Sequence, residues 1–546
     1  MSELRLTATD ALARALRQQH ALDQRRAGRA VWEAPRIVSL EQWVADTWAE
    51  TWPQEQLLSG SQGLALWLAA IERDNPGLLS TLACARAALA AERLLLRYRL
   101  DAARLPAYSA EERAWLDWHA QVRRRMDQQG WLLAEELPWR LARIIDAGDI
   151  ALPQQVVLHG FDGPLDPAAA ALLQALARRC RCRRAEPPAI APVRLGLRPS
   201  VRVAQYRYVA ATIAERLRRT ETPPRIVVVL PDAAQRLALE AALLDHVAPW
   251  RLRIGNPHGA PWRWSQGLPL AAQPLIDSAQ ALLALQPGLN DFDTLSRLLL
   301  SPVLWPGPAS EAAAELETGL RRRGWPRLRL SMLIRVAPAA VAEALSRLAA
   351  VLATEPRRAL PSRWAQAFEQ RLQALGWPGP GQLPSAAFQR VRELRRRLAR
   401  LGAFDRLLGE IDASRARFWF DELLHAGFEP RADHEQPLLI ADPAQAVALP
   451  CDLLLVCDAS VDAFPGRAAP TPFLAIEAQR AAGVPEASAE THRAAALAQA
   501  AALCAQAGEI QVLVPAVDER GAELLPSALF DVDWQPDAPQ PRASLS

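Results

Sequence analysis

Short apolar runs, set between long stretches of helical spacing, constrain this 546-residue chain more than any other feature. Val156–Leu158, Arg225–Asp232 (RIVVVLPD), Pro437–Ile440, Asp452–Val456 and Ile510–Val514 are too short for buried helices and carry no polar alternation. Runs of that kind are strands buried on both faces, as in parallel sheets covered by helices. Leu4–Thr7 adds a strand-like opening, followed by the amphipathic ATDALARALR, and Val201–Arg207 (VRVAQYR) reads as a further strand. After Val156–Leu158 comes a Gly/Asp/Pro turn, with Asp166 placed to cap a helix whose first residue is Pro167. The pattern predicts an α/β chain with two parallel-sheet domains, each interrupted by a large helical insertion. Residues 1–55 and 146–190 make the first domain and 56–145 its insertion. Residues 200–270 and 435–530 make the second, with 271–434 inserted. Glu186–Pro199 reads as a linker and 531–546 as a disordered Pro-rich tail.

Composition removes several chemistries. The 63 basic residues are all arginine; the chain has no lysine. A P-loop lysine, a Schiff-base lysine and a kinase-type strand lysine are therefore all excluded. Net charge is only +3, and the arginines are clustered instead: Arg123–Arg125, Arg178–Arg184, Arg321–Arg323 and Arg395–Arg397. The N-terminal residues have no apolar signal region, and no apolar run approaches 18 residues, so neither a signal peptide nor a membrane span is expected. Six irregularly spaced cysteines suit a reducing, cytoplasmic setting.

The motifs supply no complete catalytic set. A phosphate loop after the first strand would need glycines to bring backbone N–H groups to phosphate, then lysine and Ser/Thr. The chain offers Thr7-Ala8-Thr9-Asp10, in which Asp10 repels phosphate but suits a helix start. A metal-holding turn after Val156–Leu158 would need paired acids, and His159-Gly160-Phe161-Asp162 supplies one. Cys180 and Cys182 lack a second pair at zinc spacing, while Cys451 and Cys457 read as hydrophobic thiols beside a buried strand. No catalytic residue, metal or cofactor is indicated. Two surfaces stand out. The helix Phe388–Leu401 places Phe388, Val391, Leu394, Leu398 and Leu401 on one face and six arginines on the rest, either a solvated face or a phosphate track. Trp262 and Trp264 flank Arg263, as core or as base-stacking residues.

The order of several segments resembles the AddB-like bacterial DNA repair proteins, relatives of one subunit of a helicase–nuclease built on the superfamily 1 helicase plan. The segments are LTATDALARALR, APRIVSLEQWVADTW, VVLHGFDGPLDPAAAALLQAL, RIVVVLPDAAQR, LSRLLLSPVL, LGWPGPGQLPSAAFQRV, DLLLVCDASVDAFPG and TPFLAIEAQRAAGVPEASAETHR, spread over about residues 1–530. The resemblance implies two RecA-like domains, with Thr7, Thr9, Asp10, His159 and Asp162 as a degenerate nucleotide site. It implies a DNA partner, single-stranded or at duplex ends, and a helicase or nuclease partner subunit. In that plan DNA crosses the sheet tops, which points to Arg236, Arg467, Arg480 and Arg493 as binding residues. Relatives continue into a PD-(D/E)XK nuclease, whose residues are not present in this sequence. The expectation is a catalytically degenerate, DNA-binding helicase-like scaffold. The alternatives are an active ATP-dependent helicase or exonuclease subunit, and a helical protein-interaction scaffold without DNA.

Overall fold

A computed structural model describes residues 3–74, 77–185, 193–219, 223–252, 259–431, 436–505 and 507–535. In β1 (Glu3–Thr7), Leu4 and Leu6 alternate with Glu3, Arg5 and Thr7, so one face of the strand is apolar. It pairs in parallel with β2 (Ile37–Ser39) and β3 (Gln155–His159), and β4 (Arg181–Arg184) completes a four-stranded sheet in the order β2-β1-β3-β4. Leu4, Leu6 and Val156 meet Leu172 and Leu176 of the helix Pro167–Arg179 in one core. That helix begins where the sequence marks it. The Asp166 carboxylate accepts the Ala169 N–H at 2.8 Å, and Pro167 is the first residue. Between β2 and β3 lie the helices Leu40–Glu50, Gly60–Asp74, Thr81–Tyr98, Ala110–Gln129 and Leu137–Ala147.

The second sheet has seven parallel strands: β5 (Val193–Leu197), β6 (Ile226–Val229), β7 (Trp262–Trp264), β8 (Leu438–Ala441), β9 (Cys451–Val456), β10 (Ala507–Leu513) and β11 (Trp534–Gln535). Their order is β11-β5-β10-β9-β6-β8-β7. β6 and β8 are buried at every position, which their unbroken aliphatic runs encode. Three readings of the sequence need correction. Val201–Arg207 is not a strand: Arg202–Arg219 is a helix that buries Gln205, Tyr206, Val209, Ala210 and Ile213 at helical spacing. The segment taken as a linker contains β5, while residues 186–192 lie outside the described residues. The segment taken as a tail contributes β11, and 536–546 lie outside the described residues. Gly196 permits this last pairing, since a Cβ there would stand 2.9 Å from the Trp534 ring.

The chain divides into two compact units, residues 1–265 with 434–546, and residues 266–433. Both parallel sheets belong to the first. The second is mainly helical and contains the basic helix, Ser385–Ala399. Here too the sequence reading needs amendment. Val391, Leu394, Leu398 and Leu401 are buried, but Phe388 is 56% exposed because it lies at least 60° around the helix from that arc. Arg397, expected on the solvated face, is buried. It donates to Glu393 at 2.8 Å and to the carbonyls of Leu423 at 3.0 Å, Ala426 at 2.7 Å and Gly427 at 3.2 Å. Among the described residues, no helix is long and apolar enough to cross a membrane.

Candidate functional site

In open parallel sheets, ligands bind beyond the carboxyl ends of the strands, where adjacent strands send the chain in opposite directions. The first sheet has that point between β1, which leads to β2, and β3, which leads to β4. Thr7 and His159 are register partners there, and the Ala8 N–H donates to the His159 carbonyl at 3.0 Å. Of the sequence-predicted group, Thr7 and His159 are thus brought side by side, while Thr9 and Asp10 follow β1 and Asp162 follows β3.

The local chemistry is that of a closed turn. The Thr7 hydroxyl is buried and donates to the Thr9 carbonyl at 2.8 Å. The Thr9 hydroxyl accepts the Leu12 N–H at 3.1 Å and caps the helix Asp10–Arg26, leaving Asp10 exposed in the first turn. Gly160 has φ +77°, and a Cβ there would stand 3.0 Å from Leu12 Cδ2, 3.3 Å from the Ala448 Cβ and 3.4 Å from the Ala8 Cβ. Apolar atoms of Leu12, Ala448 and Ala8 thus crowd the turn that follows β3. His159 is half-buried; burial first, then the Arg5 and Arg183 cations, push its pKa below 6.5. Its imidazole is neutral at pH 7 and adds no cation to the edge. Asp162 is exposed.

Nothing in the residue pattern marks the first helix as shared. Ala11 and Leu12 pack in one core with Val229, Leu439, Ala446, Leu454 and Val456 of the second sheet and its loops. Polar bonds reinforce this seam: the Arg14 guanidinium donates to the Ser265 carbonyl, and Arg225 donates to the Gln19 side chain at 2.5 Å. The helix whose N-terminus would face a nucleotide is thereby built into the larger core.

The second sheet has its own such point between β6, which leads to β7, and β9, which leads to β10. The Cys457 N–H donates to the Val229 carbonyl at 3.0 Å, extending the ladder one residue past β9; next comes Asp458, a residue sequence reasoning missed. Asp458 is buried with φ +50°, and its carboxylate accepts from Arg202 Nε at 2.8 Å, Gln205 Nε2 at 3.1 Å and Tyr206 Oη at 2.6 Å. The Asp458 N–H in turn donates to Gln205 Oε1 at 3.1 Å. Burial and the Asp458 charge raise the Tyr206 pKa, so the phenol stays protonated and donating. Burial opposes the charge on Arg202, but Glu519 and Asp458 outweigh it and raise its pKa. Cys457 is fully enclosed and its thiol is pushed well above its ordinary range; Cys451 is pushed up to about 12, mainly by burial. Both are inert packing thiols.

The four predicted binding arginines lie on separate segments of the chain. Arg236 begins the helix Arg236–His246 and is half-buried, with its guanidinium 4.6 Å from the centroid of the Trp264 ring. Trp262 and Trp264 are buried strand residues, so neither offers a face to a base. Arg467 is exposed, just after the loop that follows β9. Arg480 donates through Nε to the Ala487 carbonyl at 3.0 Å, which ties it to the start of the helix Ala489–Cys504, where Arg493 is exposed in the second turn. Arg480 and Arg493 therefore sit on consecutive, linked segments. Among the described residues, no group of three or more His, Cys, Asp or Glu could hold a metal ion.

No protein-family model matches the chain, and no curated protein matches it either.

Proposed function

We propose that this chain is a helicase-like platform that binds single-stranded DNA without turning over nucleotide, an AddB-like component of double-strand break repair. Its two parallel sheets then correspond to a pair of RecA-like domains that have lost their nucleotide chemistry. The observation that carries the reading is the first sheet's edge: the strand ends that would form a nucleotide site are adjacent, yet Leu12, Ala8 and Ala448 crowd Gly160. The chain has no lysine to replace, and Asp10 adds repulsion for phosphate. DNA binding needs only positive charge and oriented N–H groups, and Arg467 and Arg493 are exposed beyond the second sheet's strands. The protein would act in the cytoplasm beside a helicase or nuclease subunit.

Two measurements test this. Replacing Arg467, Arg480 and Arg493 by alanine should weaken binding of a single-stranded oligonucleotide and flatten its salt dependence by up to about two units of slope, at ~0.7 per phosphate contact. An unchanged affinity and slope would remove these residues from the interface. ATP turnover by the purified chain should stay at background with DNA present. A DNA-stimulated rate abolished by Asp162→Ala would establish an active helicase instead.

A further inference from the structure

Between Phe388 and Leu401 the chain carries six arginines and one acid, Glu393. The unit to which this segment belongs, residues 266–433, holds 22 arginines against 17 acids, a net of +5 in a chain whose total is +3. The excess positive charge thus resides in the helical unit. At about 100° per residue, Phe388, Arg392, Arg395 and Ala399 fall within an arc of roughly 60°, with Arg396 and Arg400 alongside. All six are exposed, Phe388 by 56%. The opposite side of the helix is already committed to the core through Val391, Leu394, Leu398 and Arg397.

Local partners leave this stripe positively charged. Arg395 pairs with Glu369 at 3.2 Å and Arg396 with Glu393 at 2.8 Å. Arg392 and Arg400 have no ion-pair partner among the described residues. At the Phe388 end, the Gln389 side chain binds the Arg431 backbone in both directions: Nε2 donates to the Arg431 carbonyl at 3.0 Å, and Oε1 accepts the Arg431 N–H at 2.8 Å. A further arginine-bearing segment is thereby fixed beside the exposed ring.

We infer that this stripe is a binding site for a single-stranded nucleic acid, with Phe388 stacking on a base and the arginines following the phosphates. The inference rests on the DNA-binding reading above but places a second contact surface on the helical unit. Arg392, Arg396 and Arg400 are spaced about 6 Å apart along the helix axis, a ladder that a flexible phosphate chain can track. A planar ring at the end of such a ladder matches the way single strands are held without sequence preference, by stacking plus backbone charge. A membrane surface does not suit this helix. Interfacial helices bury a broad apolar face in lipid, and here that face packs into the protein. An acidic peptide would engage the arginines and leave the ring without a role.

The test uses the full chain and a fluorescein-labelled 20-mer of oligothymidine, followed by anisotropy across a sodium chloride series. Arg392→Ala, Arg395→Ala and Arg400→Ala combined should lower affinity and reduce the salt slope by about two. Phe388→Ala should weaken binding roughly five- to hundredfold with the slope unchanged, because stacking carries no counterions. Circular dichroism should match the parent, since the four side chains are exposed. Wild-type affinity in either variant overturns the inference, as does displacement of the oligonucleotide by polyglutamate at equal charge. If these variants bind normally while the Arg467/Arg480/Arg493 variant fails, the stripe is excluded and the DNA-binding reading stands. If the parent chain binds no oligonucleotide, both fall.

Discussion

Asp458→Asn separates charge from backbone at the second sheet's edge. Asparagine tolerates the left-handed conformation that Asp458 adopts at φ +50°, so the turn is retained while the charge is lost. One carboxylate oxygen accepts from both Arg202 and Gln205, and the other accepts from Tyr206. The amide oxygen can keep the first pair, and the Tyr206 hydroxyl can turn to accept from the new NH2 group. What remains is the loss of the counter-charge to Arg202. Breaking a buried pair costs about 3–5 kcal/mol. The lower end applies because Arg202 also reaches Glu519, which is 61% exposed. At about 3 kcal/mol, opening of the sheet should become roughly a hundredfold more frequent. Hydrogen exchange followed by mass spectrometry on Ile226–Val229 and Cys451–Val456 reads this directly, and avoids a single midpoint for a chain with two compact units. Tyr206→Phe, which removes one hydrogen bond to the charged carboxylate, should cost about 1.5–3 kcal/mol. Exchange within threefold of the parent in Asp458→Asn would show that this carboxylate does not hold the sheet edge together.

Arg397→Ala should destabilise the helical unit by about 3 kcal/mol, since it leaves three carbonyls without their donor while Glu393 keeps Arg396, whereas Arg392→Ala should stay within about 0.5 kcal/mol; hydrogen exchange on Ser385–Ala399 compares them. Gly160→Ala should cost about 1–3 kcal/mol, read by hydrogen exchange on Glu3–Thr7 and Gln155–His159, because φ +77° is strained for alanine and Leu12, Ala8 and Ala448 leave little space for its methyl group. His159 has a folded-state pKa below 6.5, so the unfolded chain takes up the proton first as pH falls. Its contribution is therefore absent above about pH 7 and appears as lost stability as pH drops below 6.5 toward the folded value. His159→Gln should remove that part of the pH dependence, and an identical profile for parent and variant would contradict the burial of this imidazole.

The strands most legible in the sequence are those buried on both faces, because nothing but an aliphatic run survives there: Ile226–Val229, Leu438–Ala441 and the Leu453–Val456 part of β9. Asp166 and Pro167 likewise mark a helix start by chemistry that acts locally. Val201–Arg207 misled because its valines alternate like a strand, while the buried positions Gln205, Tyr206 and Val209 show the helix only when the window extends past them. Trp534 and Gln535 carry too short a pattern to reveal an edge strand whose partner, Gly196, lies far back in the chain. The strand-end residues Thr7 and His159 could be grouped from their positions after predicted strands. Asp458 could not, since its partners Arg202, Gln205 and Tyr206 are more than 250 residues away. Ala448 at the Gly160 turn is hidden for the same reason: a small apolar residue carries no sign of what it will fill.

Binding of a fluorescein-labelled single-stranded oligonucleotide to the full chain, titrated across sodium chloride with and without magnesium ATP, tests the central claim most directly. A platform that grips phosphates but has no working nucleotide site predicts affinity that falls steeply with salt and curves that superimpose with and without ATP. Binding that shifts when ATP is added, or no binding at low salt, would contradict it.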